Sequence, residues 1–167
     1  MKMTDFFLAQ LEREAAATQA TLERVPEGRP DWKPHEKSMP LGYLATLVAT
    51  IPSWIGKIVT QDSLDLKPPG GSPQPPAPAT VRDLVRLHDD SVAKGRDALR
   101  STTDEHLTTS WRLLVAGQVV WEDRRDVVIR DSFMHLAHHR GQLTVYLRLN
   151  GAAVPAIYGP SADEQRF

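Results

Sequence analysis

Apolar residues recur every three or four positions over four long stretches, and polar runs rich in proline and glycine separate them. In the first stretch Phe7, Leu11, Thr18, Leu22 and Val25 make one stripe, with Glu12, Arg13 and Glu23 on the other side. This predicts a helix over Met3–Val25, capped by Thr4, with Asp5 in its first turn and Pro26 and Gly28 ending it. In the second, Leu41, Leu44, Val48, Ile51, Ile55 and Ile58 predict a helix from about Pro40 to Thr60. Ser38 is its expected cap, Pro40 suits its first turn, and Pro52 kinks it by removing an interior hydrogen bond. In the third, Thr80 caps a helix with Asp83 three residues on, and Val81, Leu84, Val85, Val92 and Leu99 form its stripe. The fourth, Asp126–Asn150, is apolar on more than one side through Val127, Val128, Met134, Leu136, Leu143, Val145, Leu147 and Leu149, so it belongs at the centre of a bundle. Asn150-Gly151 stops it.

Between the third and fourth stretches the period drops to two. Trp111, Leu113 and Val115 alternate, Ala116-Gly117 turns the chain, and Val119 and Trp121 alternate again, so residues 108–122 predict a β-hairpin, the sole strand pair expected. Residues 62–79, rich in proline and glycine, read as an extended linker. A proline-rich docking motif is the lesser reading there, since the run joins two helices. Trp32 should tuck against the bundle end, and Ile157 and Tyr158 of the tail should pack back on it. The pattern as a whole specifies an all-α fold in one domain, 1–167.

Composition narrows the function. A formal net charge of -1 and the absence of any lysine or arginine run argue against a nucleic-acid partner. With no cysteine there is no disulfide framework, thiolate metal site or cysteine nucleophile. No apolar run approaches the roughly 20 residues that cross a membrane, and the first residues are too polar for a signal peptide. The expectation is a soluble cytoplasmic protein.

Three of the six histidines fall in the fourth stretch. His135 and His139 are four apart, one above the other on a helical face, where two imidazoles can share a divalent metal. His138 lies between them in sequence but is expected to rotate away. A histidine pair of this spacing also arises by chance as a surface or core pair without a ligand. Asp131, one turn earlier, would extend the pair to a ladder of a kind that drifts around the helix and rarely converges on one ion. His88 falls near the third stripe, as a hydrogen-bonded structural histidine or a replacement ligand. His35 reads as a loop histidine. Gly141 costs about 1 kcal/mol of helix stability relative to alanine, which suggests close approach by another helix or a ligand. No serine–histidine–aspartate spacing, phosphate loop or zinc-finger pattern is present.

The run His135-Leu136-Ala137-His138-His139-Arg140-Gly141-Gln142 resembles the H-x-x-H-H-R-G-Q signature of the DinB/YfiT-like family. Trp32-x-Pro34-x-x-Lys37-Ser38 and the tail from Val154 to Glu164 are similar to further stretches of that family. The resemblance implies a four-helix bundle with a small β-hairpin between helices 3 and 4. It also implies that His135 and His139 are ligands to a divalent metal, zinc or nickel, facing a cavity at the bundle centre. The third ligand of the family falls in a pattern L-G-x-L-A-x-H-V-A on the second helix. Here that pattern reads Leu41-Gly42-Tyr43-Leu44-Ala45-Thr46-Leu47-Val48-Ala49, so Leu47 stands where the histidine would be. Leucine has no lone pair, so the metal would be held weakly or not at all. Family members are described as metal-dependent hydrolases, and some as thiol-dependent transferases or isomerases. Two functions therefore follow from the resemblance: such an enzyme with an incomplete site, or a non-catalytic bundle that binds a small molecule or a partner. Gln142 and Arg140 could orient a substrate, although Arg140 reads first as a helix-surface or interface ion-pair residue. Relatives pair through bundle faces, which implies a homodimer.

Overall fold

The structure, a computed structural model, describes residues 2–71 and 78–165. Residues 72–77 of the expected linker and the last two of the tail lie outside the described residues. The chain is mainly helical with a small sheet. In order it runs α1 (Met3–Leu22), α2 (Leu41–Thr50), α3 (Pro52–Thr60), β1 (Ser63–Asp65), α4 (Val81–Ser101), α5 (Asp104–Leu107), β2 (Ser110–Val115), β3 (Gln118–Arg124) and α6 (Arg125–Leu149).

Several ends differ from the periodic reading. The first helix stops at Leu22 rather than Val25, because Arg24 and Val25 bond back to Thr21 and Leu22 in tight turns. Its N-cap is Lys2, not Thr4, and Thr4 is buried. The capping group comes from elsewhere. The Asp104 carboxylate in α5 accepts from the Met3 and Thr4 N–H groups at 2.9 and 3.1 Å, placing a negative charge on the positive end of α1. These bonds hold the Asp104 carboxyl below its ordinary range. The second helix starts after Pro40, which is itself the cap in place of Ser38, and it divides at Pro52 into α2 and α3, bent by 48°. The apolar stripe nevertheless runs on unbroken, with Leu41, Leu44, Val48, Ile51, Ile55 and Ile58 all buried. Gly95 of α4 lies against this break. A Cβ there would sit 2.8 Å from the Pro52 carbonyl oxygen, so a side chain would force α3 and α4 apart.

The sheet has three strands, not the two of the expected hairpin. β2 and β3 pair antiparallel across Ala116 and Gly117, both at positive φ as a tight hairpin turn requires. β1, within the stretch read as linker, pairs parallel to β2, with Ser63 opposite Arg112 and Asp65 opposite Leu114. The Asp65 carboxylate accepts from the Ala116 and Gly117 N–H groups at 3.0 and 2.7 Å, so one acid ties the added strand to the hairpin turn.

Arg125, at the first position of α6, joins sheet and helices. Its buried guanidinium donates to the Ile58 and Gln61 carbonyls at 2.5 and 2.7 Å, to Asp62 at 2.7 Å and to Thr109 at 3.0 Å. A cation there satisfies carbonyls that the end of α3 leaves open. The core has two clusters. One gathers Leu11, Ile55, Leu99 and Ile129 near the sheet. The other gathers Leu22, Leu44, Leu136 and Leu143 further along the helices. Trp54 packs against both. Trp32 meets Tyr146 edge to face at 5.5 Å, at the far end of the second cluster. Among the described residues no single helix is long and apolar enough to cross a membrane.

Candidate functional site

The helical period sets the first feature. His135 and His139 stand one turn apart on α6 with ring centroids 4.5 Å apart and planes tilted by 55°. His138, the next position round the helix, is exposed. Its ring lies 5.0 Å from that of His139, edge to face. The His139 Nδ1–H donates to Gln142 Oε1 at 2.7 Å, one turn on, which leaves the His139 Nε2 lone pair free. His135 has no hydrogen-bonding partner among the described residues. It meets the edge of Trp54 at 5.2 Å. Partial desolvation, then the neighbouring His139 and His138, push the His135 imidazole below its usual pKa. It is thus neutral at pH 7, with lone pair and N–H both available.

His135 borders a pocket of about 230 Å³. The pocket lies between α3, α6 and the sheet, not at the bundle centre, and His139 is not among its walls. Sheet register builds one wall. Leu64, Leu113 and Trp121 are directly opposite one another across the three strands, and Trp111 lies two residues before Leu113 on the same face. Trp54 and Ile58, one turn apart on α3, make the second wall. Two of the polar lining groups are engaged, while the buried Trp111 indole N–H has no hydrogen-bond partner. Asp131 accepts from Arg130 at 2.9 Å, and the Ser132 hydroxyl donates to the Val128 carbonyl at 2.9 Å. Three of the chain's four tryptophans converge here. The alternation that marks the hairpin carries Trp111 and Trp121, yet nothing in sequence period links them to Trp54 across the sheet–helix gap.

The donor set does not fit a three-ligand metal centre. Among the described residues no group of three His, Cys, Asp or Glu could hold an ion, and this includes the Asp131–His135–His139 ladder. The Tyr146 hydroxyl bonds the Met39 carbonyl, and Trp54 meets His135, so α2 and α3 run antiparallel to α6. Leu47, on α2, packs half-buried on the second cluster. His88 is buried on α4, 3.2 Å from the Ala15 carbonyl through Nε2. Burial holds its pKa below the usual value.

Arg140 is the largest departure from the sequence reading. It is not a surface residue but is 1% exposed. Its guanidinium donates to the Glu14 carboxylate at 2.6 Å, to the Glu14 carbonyl at 3.2 Å, to Thr18 at 3.0 Å and to the Tyr158 hydroxyl at 2.5 Å. Tyr158 donates in turn to Glu14 at 2.9 Å. Burial, then the bond to Glu14, raises the Tyr158 phenol above its ordinary pKa. The rest of the tail is strapped down by Arg24–Glu164 and Arg148–Asp163 ion pairs. Gly141 has open space where a Cβ would be, so among the described residues no other helix approaches it.

The DinB family model matches residues 124–166, which span α6 and the tail. The uncharacterized protein YrdA of Bacillus subtilis is 28% identical over 162 residues, covering 96% of this chain and 90% of its own. Among solved structures, a DinB-like protein from Bacillus cereus superposes with a TM-score of 0.69 at 21% identity, over 91% of this chain and 95% of that one. The DinB-like protein YjoA of Bacillus subtilis gives 0.69 at 19% identity, over 96% and 99%.

Proposed function

We propose that this DinB-like chain, a four-helix-bundle arrangement closed by a small sheet, is a binding protein for a small molecule. In this reading the family metal centre has been lost at Leu47. One observation carries the proposal: the largely apolar pocket of about 230 Å³ that begins at His135 has three indoles in its walls. Concave, mostly apolar sites with a few converging polar groups are where small ligands bind. The test is a thermal-shift screen of small apolar compounds. A compound held at a hundred times its Kd stabilises the folded chain by about 2.7 kcal/mol. The rise in Tm should vanish in Trp121→Ala, a half-buried position. A screen in which no compound shifts Tm, or in which Trp121→Ala retains every shift, would sink the proposal.

The second reading is a metal-dependent hydrolase or thiol-dependent transferase that draws a third ligand from elsewhere. The Gln142 bond to His139 favours it, because a ligating histidine commonly has its second nitrogen held by a neighbouring acceptor. Zinc or nickel would sit on His135 and His139. Metal analysis of protein purified without a histidine tag separates the readings. Stoichiometric zinc or nickel supports the second, and its absence at added equimolar metal supports the first.

A further inference from the structure

The ligand's chemical class follows from the pocket, given the small-molecule-binding reading above. We propose that the pocket takes a neutral, mostly apolar compound of two fused rings, with one hydrogen-bonding group directed at His135. Size comes first. A dry cavity of about 150 Å³ accepts benzene, and this pocket of about 230 Å³ is larger by roughly one further ring. Shape comes from the walls. Trp54, Trp111 and Trp121 present flat π surfaces, which favour stacked or edge-on rings over a flexible chain. Charge is excluded from both sides. Asp131 is already taken by Arg130, and Lys57 is exposed, so its ammonium stays in water and an ion pair made there gains little. A charged ligand buried among the indoles would therefore gain too little to offset its desolvation, which is costly. Two unpartnered hydrogen-bonding groups belong to lining residues, the buried Trp111 indole N–H and the His135 imidazole. His135 borders the pocket and has no hydrogen-bonding partner among the described residues, so one hydroxyl or carbonyl on the ligand can meet it.

The experiment uses the full chain with ¹⁵N-labelled indoles, each signal assigned by a Trp→Phe variant. It is titrated with 1-naphthol, naphthalene, 1-naphthoate, 1-naphthylmethylammonium and 1-octanol. Expected is that 1-naphthol shifts the indole signals of Trp54, Trp111 and Trp121 and spares Trp32, which lies against Tyr146 in the other cluster. The two charged naphthyl compounds should bind at least about tenfold more weakly. His135→Ala should abolish the preference for 1-naphthol over naphthalene. Leu66→Asp should weaken 1-naphthol by about tenfold without unfolding the chain, because Leu66 is an exposed lining residue held by its backbone bond to Leu114. A charged compound or 1-octanol that binds as tightly as 1-naphthol, at the same three indoles, would overturn the proposed class and leave the binding reading standing. No indole shift with any of the five, in a folded chain, would overturn both.

Discussion

One helix, α6, carries two polar sites about one and a half turns apart, and they are built in opposite ways. Arg140 is closed in. Its charge is met by Glu14, and the remaining donors are met by Thr18, a carbonyl and Tyr158. His135 is open, with a tryptophan edge, a second imidazole and a pocket beside it, and without a hydrogen bond. Both belong to the same eight-residue signature, yet the first is spent inside the protein and the second is left for something outside it. The difference separates the part of the signature that holds the bundle together from the part that meets a ligand. A buried charge persists only if paired and fully bonded, whereas a group with unspent hydrogen-bonding capacity at a pocket wall marks recognition.

The contrast can be broken most forcefully at Arg140. Arg140→Met leaves Glu14 buried and uncompensated, and removing one partner of such a pair costs about 3–5 kcal/mol. Adding Glu14→Gln should return much of that loss, which urea unfolding of the single and double variants would measure. A loss below about 1 kcal/mol for Arg140→Met would place the pair in water after all. Tyr158→Phe removes one hydroxyl from the same network while keeping its ring, and should cost about 1 kcal/mol in the same assay.

His88 supplies a pH test of the closed interior. Its folded pKa lies below its unfolded value because burial disfavours the charged form. The stability it contributes is therefore complete above the unfolded histidine value of about 6.5 and is lost as pH falls below it. Unfolding midpoints measured between neutral and mildly acidic pH should fall in the wild type and fall less in His88→Leu. Identical slopes would remove His88 from the account. The smallest effect is expected at the open site, where His135→Ala should change stability by no more than about 0.5 kcal/mol. A large loss there would mean that His135 is structural.

The sequence exposed those parts of the molecule that are local. Helical period located every long helix, Thr80 capped α4 through Asp83 as its spacing predicts, and His135 and His139 lie together because four residues make about one turn. The rest depended on partners distant in the chain. Asp104 caps α1 from about a hundred residues away, β1 is three residues of strand within a polar segment, and Glu14 reaches Arg140 from another helix. No period reports such pairings. The same limit hid the pocket, since Trp54 stands on α3 while Trp111 and Trp121 stand on the sheet. The proline at position 52 was legible as a break in one helix, but its closeness to Gly95 of α4 was not.

The claim that the histidine pair has been left without its third ligand is tested most directly by calorimetric titration of zinc. The comparison uses the wild type, Leu47→His, and Leu47→His with His135→Ala. The family pattern places its third histidine at Leu47, so an imidazole there is expected to complete a three-histidine set with an open position. The account predicts weak binding in the wild type, binding at least about tenfold tighter in Leu47→His, and loss of that gain when His135 is removed. Equally tight zinc in the wild type and Leu47→His would contradict it.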